Sequence, residues 1–213
     1  MKISGDYSEN GYARIEGLVS PEVARAFLAQ LKQDMGPGAI PLSQVATHPN
    51  LLKRPALEIY GHHYQPMLFF LWGLTPIVSE IVGKSLLPTY DYLRVYRRGD
   101  VCMVHSDRYS CEHSLSLTLG YSDGKSWDLE VERQSSKPSA NVDPSFEGEP
   151  ARITTMPGDA ILYRGVDHRH GRTRPNPNRW SAHLFLHWVD ANGAYRDHAF
   201  DRRPPAPVDF VFA

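Results

Sequence analysis

Between Val104 and Ser114 the chain reads VHSDRYSCEHS, and within it His105 and Asp107 stand one residue apart. On a β-strand, residues i and i+2 share one side of the pleat, so an imidazole and a carboxylate in this spacing converge on one point. Such a pair can hold a metal ion or simply bond to itself. The motif alone does not choose: with 10 His and 14 Asp in 213 residues, about 0.6 such tripeptides arise by chance. In isolation it reads as a hydrogen-bonded surface pair.

The context comes about sixty residues later, in PGDAILYRGVDHRHGRTRPNPNRWSAHLFLHW. A turn, a strand, a loop bearing His168 and His170, and a second strand begun by Arg179-x-Ser181 follow in order, and the loop offers a third ligand. Two His and one carboxylate occupy one face of a metal and leave the remaining positions open, as in non-haem Fe(II) oxygenases. A structural zinc site would instead be closed, usually by four ligands including Cys. Arg179 and Ser181, again i and i+2, are placed to grip a carboxylate by a charge-assisted pair and a hydroxyl bond, which implies an anionic co-substrate.

These groups need a scaffold. From residue 89 the hydrophobic period is two: TYDYLRVYRRG puts Tyr92, Arg94 and Tyr96 on one face and Leu93 and Val95 on the other. HSLSLTLGY, WDLEVE, AILYRG and SAHLFLHWV alternate in the same way between turn-rich pieces, which predicts an antiparallel sandwich or barrel. In the N-terminal third, SPEVARAFLAQLKQDMG predicts a helix with Ser20 as N-cap, Pro21 first in the helix and Gly36 past its end, and a stripe of Val23, Phe27, Leu28 and Leu31. TPIVSEIVG repeats that logic with Thr75, Pro76 and Gly83. Residues 134–150 are polar and rich in Pro and Ser, a long loop between strands and a candidate lid over the site. The prolines of FDRRPPAPVDFVFA forbid a helix, while its apolar end is fit to dock, across a homodimer interface for example.

A chain of 213 residues with formal net charge -1 and pI near 6.8 is expected to form one domain with no global field toward nucleic acid or anionic membranes. Two cysteines, Cys102 and Cys111, are too few for a disulfide framework, and MKISGDYSENGY lacks the pattern of a signal peptide, so a cytoplasmic location is the expectation. The apolar run MLFFLWGLTPIVSEIV is shorter than a bilayer span, contains Pro76 and Glu80, and reads as a core segment.

Taken in order, GYARIEGLVSPEVARAFLAQL, YLRVYRRGDVCMVHSD, PGDAILYRGVDHRHGR and RWSAHLFLHW resemble Fe(II)- and 2-oxoglutarate-dependent dioxygenases, closest in pattern to the prolyl-hydroxylase-like branch. The resemblance covers most of the chain and implies a mainly β double-stranded β-helix (jelly roll, cupin-like) over 89–190, with a helical N-terminal part (1–88) packed on it and a C-terminal extension (191–213). It implies His105, Asp107 and His170 as iron ligands, with His168 as the alternative distal histidine. Arg179 would hold the distal carboxylate of 2-oxoglutarate, with Ser181 beside it and Tyr96 as a further contact. It also implies O2 as co-substrate and hydroxylation of a small-molecule, peptide or protein substrate with release of succinate and CO2.

Departures from the family pattern matter. GYSDGKSWDLEVE lacks the Gly-Gly pair often found after His-x-Asp, so that wall of the site differs. Phe185 stands where nucleic-acid dealkylating members carry a second arginine, which disfavours nucleic acid as substrate. The competing readings are a cupin-like metalloenzyme that uses no 2-oxoglutarate and a non-catalytic binding protein with a degenerate oxygenase fold. His183 and His187 share the face of Ser181, as cavity lining or as hydrogen-bonded structural groups. Cys102 and Cys111 read as buried packing residues, and the arginines at 164, 169, 172 and 174 as a solvated rim or an attraction for an anionic substrate.

Overall fold

The computed structural model of the protein describes residues 1–38, 46–47, 50–136, 142–143, 145–203 and 211. Its strands form two antiparallel sheets. The larger runs, edge to edge, β1 (Lys2–Ser4), β2 (Tyr12–Glu16), β11 (Ala160–Tyr163), β7 (His113–Tyr121), β13 (Trp180–Asp190), β5 (Leu86–Arg97), β4 (Ala56–Tyr60) and β3 (Ala46–Thr47). The smaller runs β10 (Ala151–Ile153), β8 (Leu129–Val131), β12 (His170–Arg172), β6 (Cys102–His105) and β9 (Val142–Asp143). From β5 onward the chain passes back and forth between the sheets, with β5, β7, β11 and β13 in one and β6, β8, β10 and β12 in the other. That winding is a double-stranded β-helix: the alternating pattern predicts an antiparallel sandwich or barrel, and the family resemblance implies this jelly-roll form of it.

The alternation sorts the side chains. On β7, Leu115, Leu117 and Leu119 point outward while Ser114, Ser116 and Thr118 point into the barrel; on β13, Ala182, Leu184, Leu186 and Trp188 point outward and Ser181, His183, Phe185 and His187 inward. The outward set meets α1 (Tyr7–Asn10), α2 (Pro21–Asp34) and α3 (Leu68–Val82) in the main apolar core, through Tyr7, Ala24, Leu31, Leu71 and Val78, with Met67 from the turn before α3. Small clusters of aromatic and aliphatic residues fill parts of the interior instead, including Tyr96, Trp127 and Phe185.

Several local expectations need correction. The N-terminal part is not simply helical, because it adds β1 and β2 to one edge of the larger sheet and β3 and β4 to the other. Ser20 caps α2 as expected, its hydroxyl accepting from Glu22 N, but Val23 is 49 % exposed and Ala24 takes its place in the core. The second helix does not begin at Thr75. It starts two turns earlier at Leu68, because Met67 and Leu71 bury against the sheet, and Pro76 is tolerated inside it. Thr75 donates to Leu71 O (2.7 Å) and accepts from Trp188 Nε1 (2.8 Å), which ties the helix to β13. With the preceding 3₁₀ turn, Gln65–Val82 is 18 residues long and apolar enough to cross a membrane by length and composition, so the expectation of a span too short falls. It is a half-covered helix rather than a core segment, since Phe69 and Trp72 are exposed. The 134–150 lid expectation lies partly outside the described residues, as does most of the C-terminal tail.

Candidate metal centre

His105 ends β6, His170 begins β12, and these residues are direct partners in the smaller sheet. Pairing puts their rings 4.4 Å apart, centroid to centroid. The chain then leaves β6 and brings Asp107 back under both: Asp107 Oδ1 lies 3.7 Å from His105 Nε2 and 3.5 Å from His170 Nε2. These three ligand atoms all lie within 4.8 Å of one another.

Both imidazoles are oriented from behind. His105 Nδ1 donates to Met103 O (2.8 Å) and His170 Nδ1 to His168 O (2.9 Å), which turns each Nε2 toward Asp107, the atom each ring would offer to a metal. The Asp107 carboxylate is oriented too, since Ser114 Oγ donates to Oδ2 (3.1 Å) and leaves Oδ1 toward the rings. Burial opposes its ionisation, but the neighbouring His170 and His105 outweigh this and hold the carboxyl well below its ordinary range. Gly165 makes the approach feasible. A Cβ there would sit 2.4 Å from Asp107 Oδ2 and 2.6 Å from both Cys111 O and Ser114 Oγ, and the Gly165 carbonyl accepts from Asp107 N (2.8 Å).

The structure separates the two distal histidines. His168 is buried with Nδ1 bonded to Glu132 O (2.8 Å), its ring packed so closely on Gly11 that a Cβ at that position would meet Nε2 at 2.2 Å. It points away from the trio. His187 lies on the other side of Asp107 and, with Cys111, forms an overlapping cluster of ligand-type atoms. Its Nδ1 is 2.9 Å from Ser114 Oγ, and burial lowers it to about 4, so its ring is neutral at pH 7. Cys111 packs against Tyr90 OH (3.2 Å), and both cysteines are buried and free.

Of the three residues expected to hold a co-substrate, the structure puts two inside the barrel and one outside. Ser181 is fully buried, but its hydroxyl donates to Asn176 Oδ1 (2.8 Å) and accepts from Asn178 Nδ2 (3.2 Å). Tyr96 is buried, with its hydroxyl accepting from Arg94 Nη1 (3.0 Å). Arg179 does not reach the interior: its side chain is 73 % exposed and paired with Asp123 (3.5 Å). The i, i+2 argument fails here because β13 begins only at Trp180, and Asp123 Oδ2 accepts from Arg179 N (3.2 Å), holding the residue at the rim before the pleat starts.

Two arginines fill the interior: Arg94, given no role from sequence, and Arg172, which is buried and so is no part of a solvated rim. Arg94 is buried on β5 in a salt bridge to Glu58 (2.7 Å). Arg172, two residues past His170, is 1 % exposed. Parity along β5 put Arg94 on the face of Tyr92 and Tyr96, whereas the segment that forms β12 read as a loop, and a buried arginine is rare enough that no sequence rule predicts one. Beside the trio lies a cleft of about 440 Å³ lined by Tyr60, Tyr90, Tyr92, Arg94, His105 and Asp107 among others. Its aromatic wall is ordered, with Tyr92 stacked on Phe185 at 4.9 Å and Arg108 over the Tyr90 ring at 4.2 Å.

No protein-family model matches this sequence, and neither does any curated protein. Similar folds are found among solved structures. The non-heme alpha ketoglutarate dependent epimerase SnoN from nogalamycin biosynthesis superposes with a TM-score of 0.66 at 11% identity, over 96% of this chain and 89% of that one. HygX from Streptomyces hygroscopicus, solved with nickel and 2-oxoglutarate bound, gives 0.61 at 12% identity over 87% and 85%. A Pseudomonas putida prolyl-4-hydroxylase gives 0.56 at 11% identity over 85% and 95%. At such identities the likeness establishes the double-stranded β-helix fold.

Proposed function

We propose that the protein is an Fe(II)- and 2-oxoglutarate-dependent dioxygenase. The observation that carries this reading is the trio itself: two imidazole Nε2 atoms each within 3.7 Å of one carboxylate oxygen, and each ring fixed by a carbonyl behind it, in a jelly roll. The donor set fits a divalent first-row metal bound on one face, with its other positions left to exchangeable ligands. His105, Asp107 and His170 would hold Fe(II), which supplies the activation of O2 coupled to decarboxylation of the keto acid; hydroxylation of a C–H bond is the outcome we assign. The structural neighbours that are themselves 2-oxoglutarate enzymes support it.

The chain's own residues do the positioning. Ser114 fixes which oxygen of Asp107 faces the metal, Gly165 clears the space, and the tyrosine-lined cleft beside the trio is where a substrate would present its bond. That wall suits an apolar or ring-bearing small molecule or side chain.

The test is an anaerobic titration of the protein with Fe(II) and then 2-oxoglutarate, watching for the weak visible charge-transfer band of the bidentate keto-acid complex. A band in the wild type that disappears in Asp107→Ala is expected. Its absence in folded, metal-loaded protein would exclude the assignment. One observation favours a second reading, a cupin-like metalloenzyme without 2-oxoglutarate: the arginine expected to anchor the co-substrate, Arg179, lies outside the barrel.

A further inference from the structure

The barrel interior holds an arginine whose charge no carboxylate among the described residues cancels. Arg94 is not that group, because Glu58 meets it at 2.7 Å with both side chains almost fully buried. Arg172 has no carboxylate partner among the described residues. Its Nη1 donates to Trp127 O, its Nη2 lies 3.3 Å from His183 Nδ1 and 3.5 Å from Ser116 Oγ, and its guanidinium stands over the Trp127 ring at 5.0 Å. All of these partners are neutral. An arginine stays protonated inside proteins, so an ion 1 % exposed and left without a counter-charge is costly unless an anion completes it.

The loose hydrogen-bond ends at this spot are both donors. Arg172 Nε is buried with no partner. His183 accepts from Arg172 through Nδ1, which leaves the ring proton on Nε2, and Nε2 is also buried with no partner. Burial and the nearby Arg172 and Arg94 hold His183 well below its ordinary range, so it stays neutral. Neighbouring orphaned donors around a positive charge ask for an acceptor-only group, and a carboxylate is the biological group that fits.

Position and charge then define the ligand. Arg172 follows His170 by two residues on β12 and shares its inward face, about 6.6 Å farther along the strand. A divalent metal with two neutral imidazoles and Asp107 carries one net positive charge, and Arg172 carries another. A short keto diacid with one carboxylate at the metal and the second at Arg172 would neutralise both.

Resting on the oxygenase reading above, we infer that Arg172, assisted by His183, holds the distal carboxylate of 2-oxoglutarate, the role expected of Arg179 from sequence. Arg172 is thus a co-substrate-binding residue supplied by the same strand as the distal metal ligand.

The experiment compares 2-oxoglutarate with 2-oxopentanoate, a keto acid of the same length without the distal carboxylate, by calorimetry on anaerobic Fe(II)-loaded protein. In the wild type the diacid is expected to bind at least about 30-fold more tightly, as for a charge-assisted bond to a buried group. Arg172→Gln should reduce that preference to within about threefold while Arg179→Ala keeps it. Retention of the preference in Arg172→Gln, or its loss in Arg179→Ala, would overturn the assignment. If both keto acids bind the wild type equally, the anchor is wrong and keto-acid chelation stands; if neither binds folded, metal-loaded protein, the oxygenase reading falls with it. Should Arg172→Gln fail to fold, the Arg172 Nε–H resonance of the Zn(II)-loaded wild type, assigned with Arg172→Lys, decides. It should shift with 2-oxoglutarate and stay in place with 2-oxopentanoate, and no shift with the diacid would refute the contact.

Discussion

The two faces of the eight-stranded sheet are made by the same strands and by alternate residues of the same short segments, yet they differ in almost every physical respect. Outward, Leu115, Leu117, Leu184, Leu186 and Trp188 are sealed under α2 and α3 in close apolar packing. Inward, Ser114, Ser116, Thr118, His183 and His187 face a space where several buried nitrogens have no protein partner. The outer face supplies stability through burial, which is indifferent to small polar detail. The inner face tolerates unsatisfied groups that a core would not, and their natural completion is a metal and an anion. Two outer-face groups are exceptions, His113 Nε2 and Asp91, and Asp91 is the more telling: it lies on the outer face of β5, 1 % exposed, with neither carboxylate oxygen bonded.

The contrast can be broken in a graded way. Asp107→Ala should leave the fold intact and weaken Fe(II) binding by more than the roughly 10–100-fold that loss of an outer hydrogen-bond partner costs; calorimetry with circular dichroism checks both halves. On the other face, Leu117→Ala should cost about 2–5 kcal/mol of stability, read by urea unfolding, while metal affinity of the folded fraction stays unchanged. Gly165→Ala pushes a methyl into Asp107 and Ser114, so we expect metal affinity to fall about 10-fold or more with only a modest drop in melting temperature.

Asp91→Asn tests the exception through pH. Burial raises Asp91 to about 7 from the ordinary 3.8, so the folded state holds its proton more tightly than the unfolded chain does. The protonated carboxyl therefore favours folding below about pH 4, and that advantage is lost as pH rises through about 7. The variant should be more thermostable than the wild type at pH 8 by a few degrees and lose that advantage near pH 4; an equal gain at both would show that ionisation is not the cause. The smallest effect belongs to Arg179→Ala, which removes an exposed pair with Asp123 worth under about 1 kcal/mol and should leave the melting temperature within a degree or two.

The legible parts of this molecule were those set by local periodicity. Two-residue alternation marked β5, β7 and β13 and their inward faces. The His-x-Asp pair does converge, but not through the pleat: β6 ends at His105, and Asp107 is held in place past it by its N–H to Gly165 O and by Ser114 Oγ on its carboxylate. Ser20 and Pro21 marked the start of α2 by local chemistry. Thr75-Pro76 carries an identical signature in the middle of α3, and there burial of Met67 and Leu71 overrode it. Arg179 shows the limit from the other side, since a face argument holds only where the strand exists and β13 starts one residue too late.

By itself, then, the amino-acid sequence determined an antiparallel β sandwich or barrel and the nearness of His105 and Asp107, because alternation and short spacing are properties of the chain next to itself; the jelly-roll form and a distal histidine came from the resemblance of its ordered motifs to a known family. Which histidine completes the trio, and which arginine is buried, depended on residues far apart in sequence. Gly11 takes the ring of His168, Asp123 draws Arg179 to the rim, and strand pairing across the smaller sheet sets His170 against His105 with Arg172 farther along. Those are long-range contacts, and only the tertiary structure decides them.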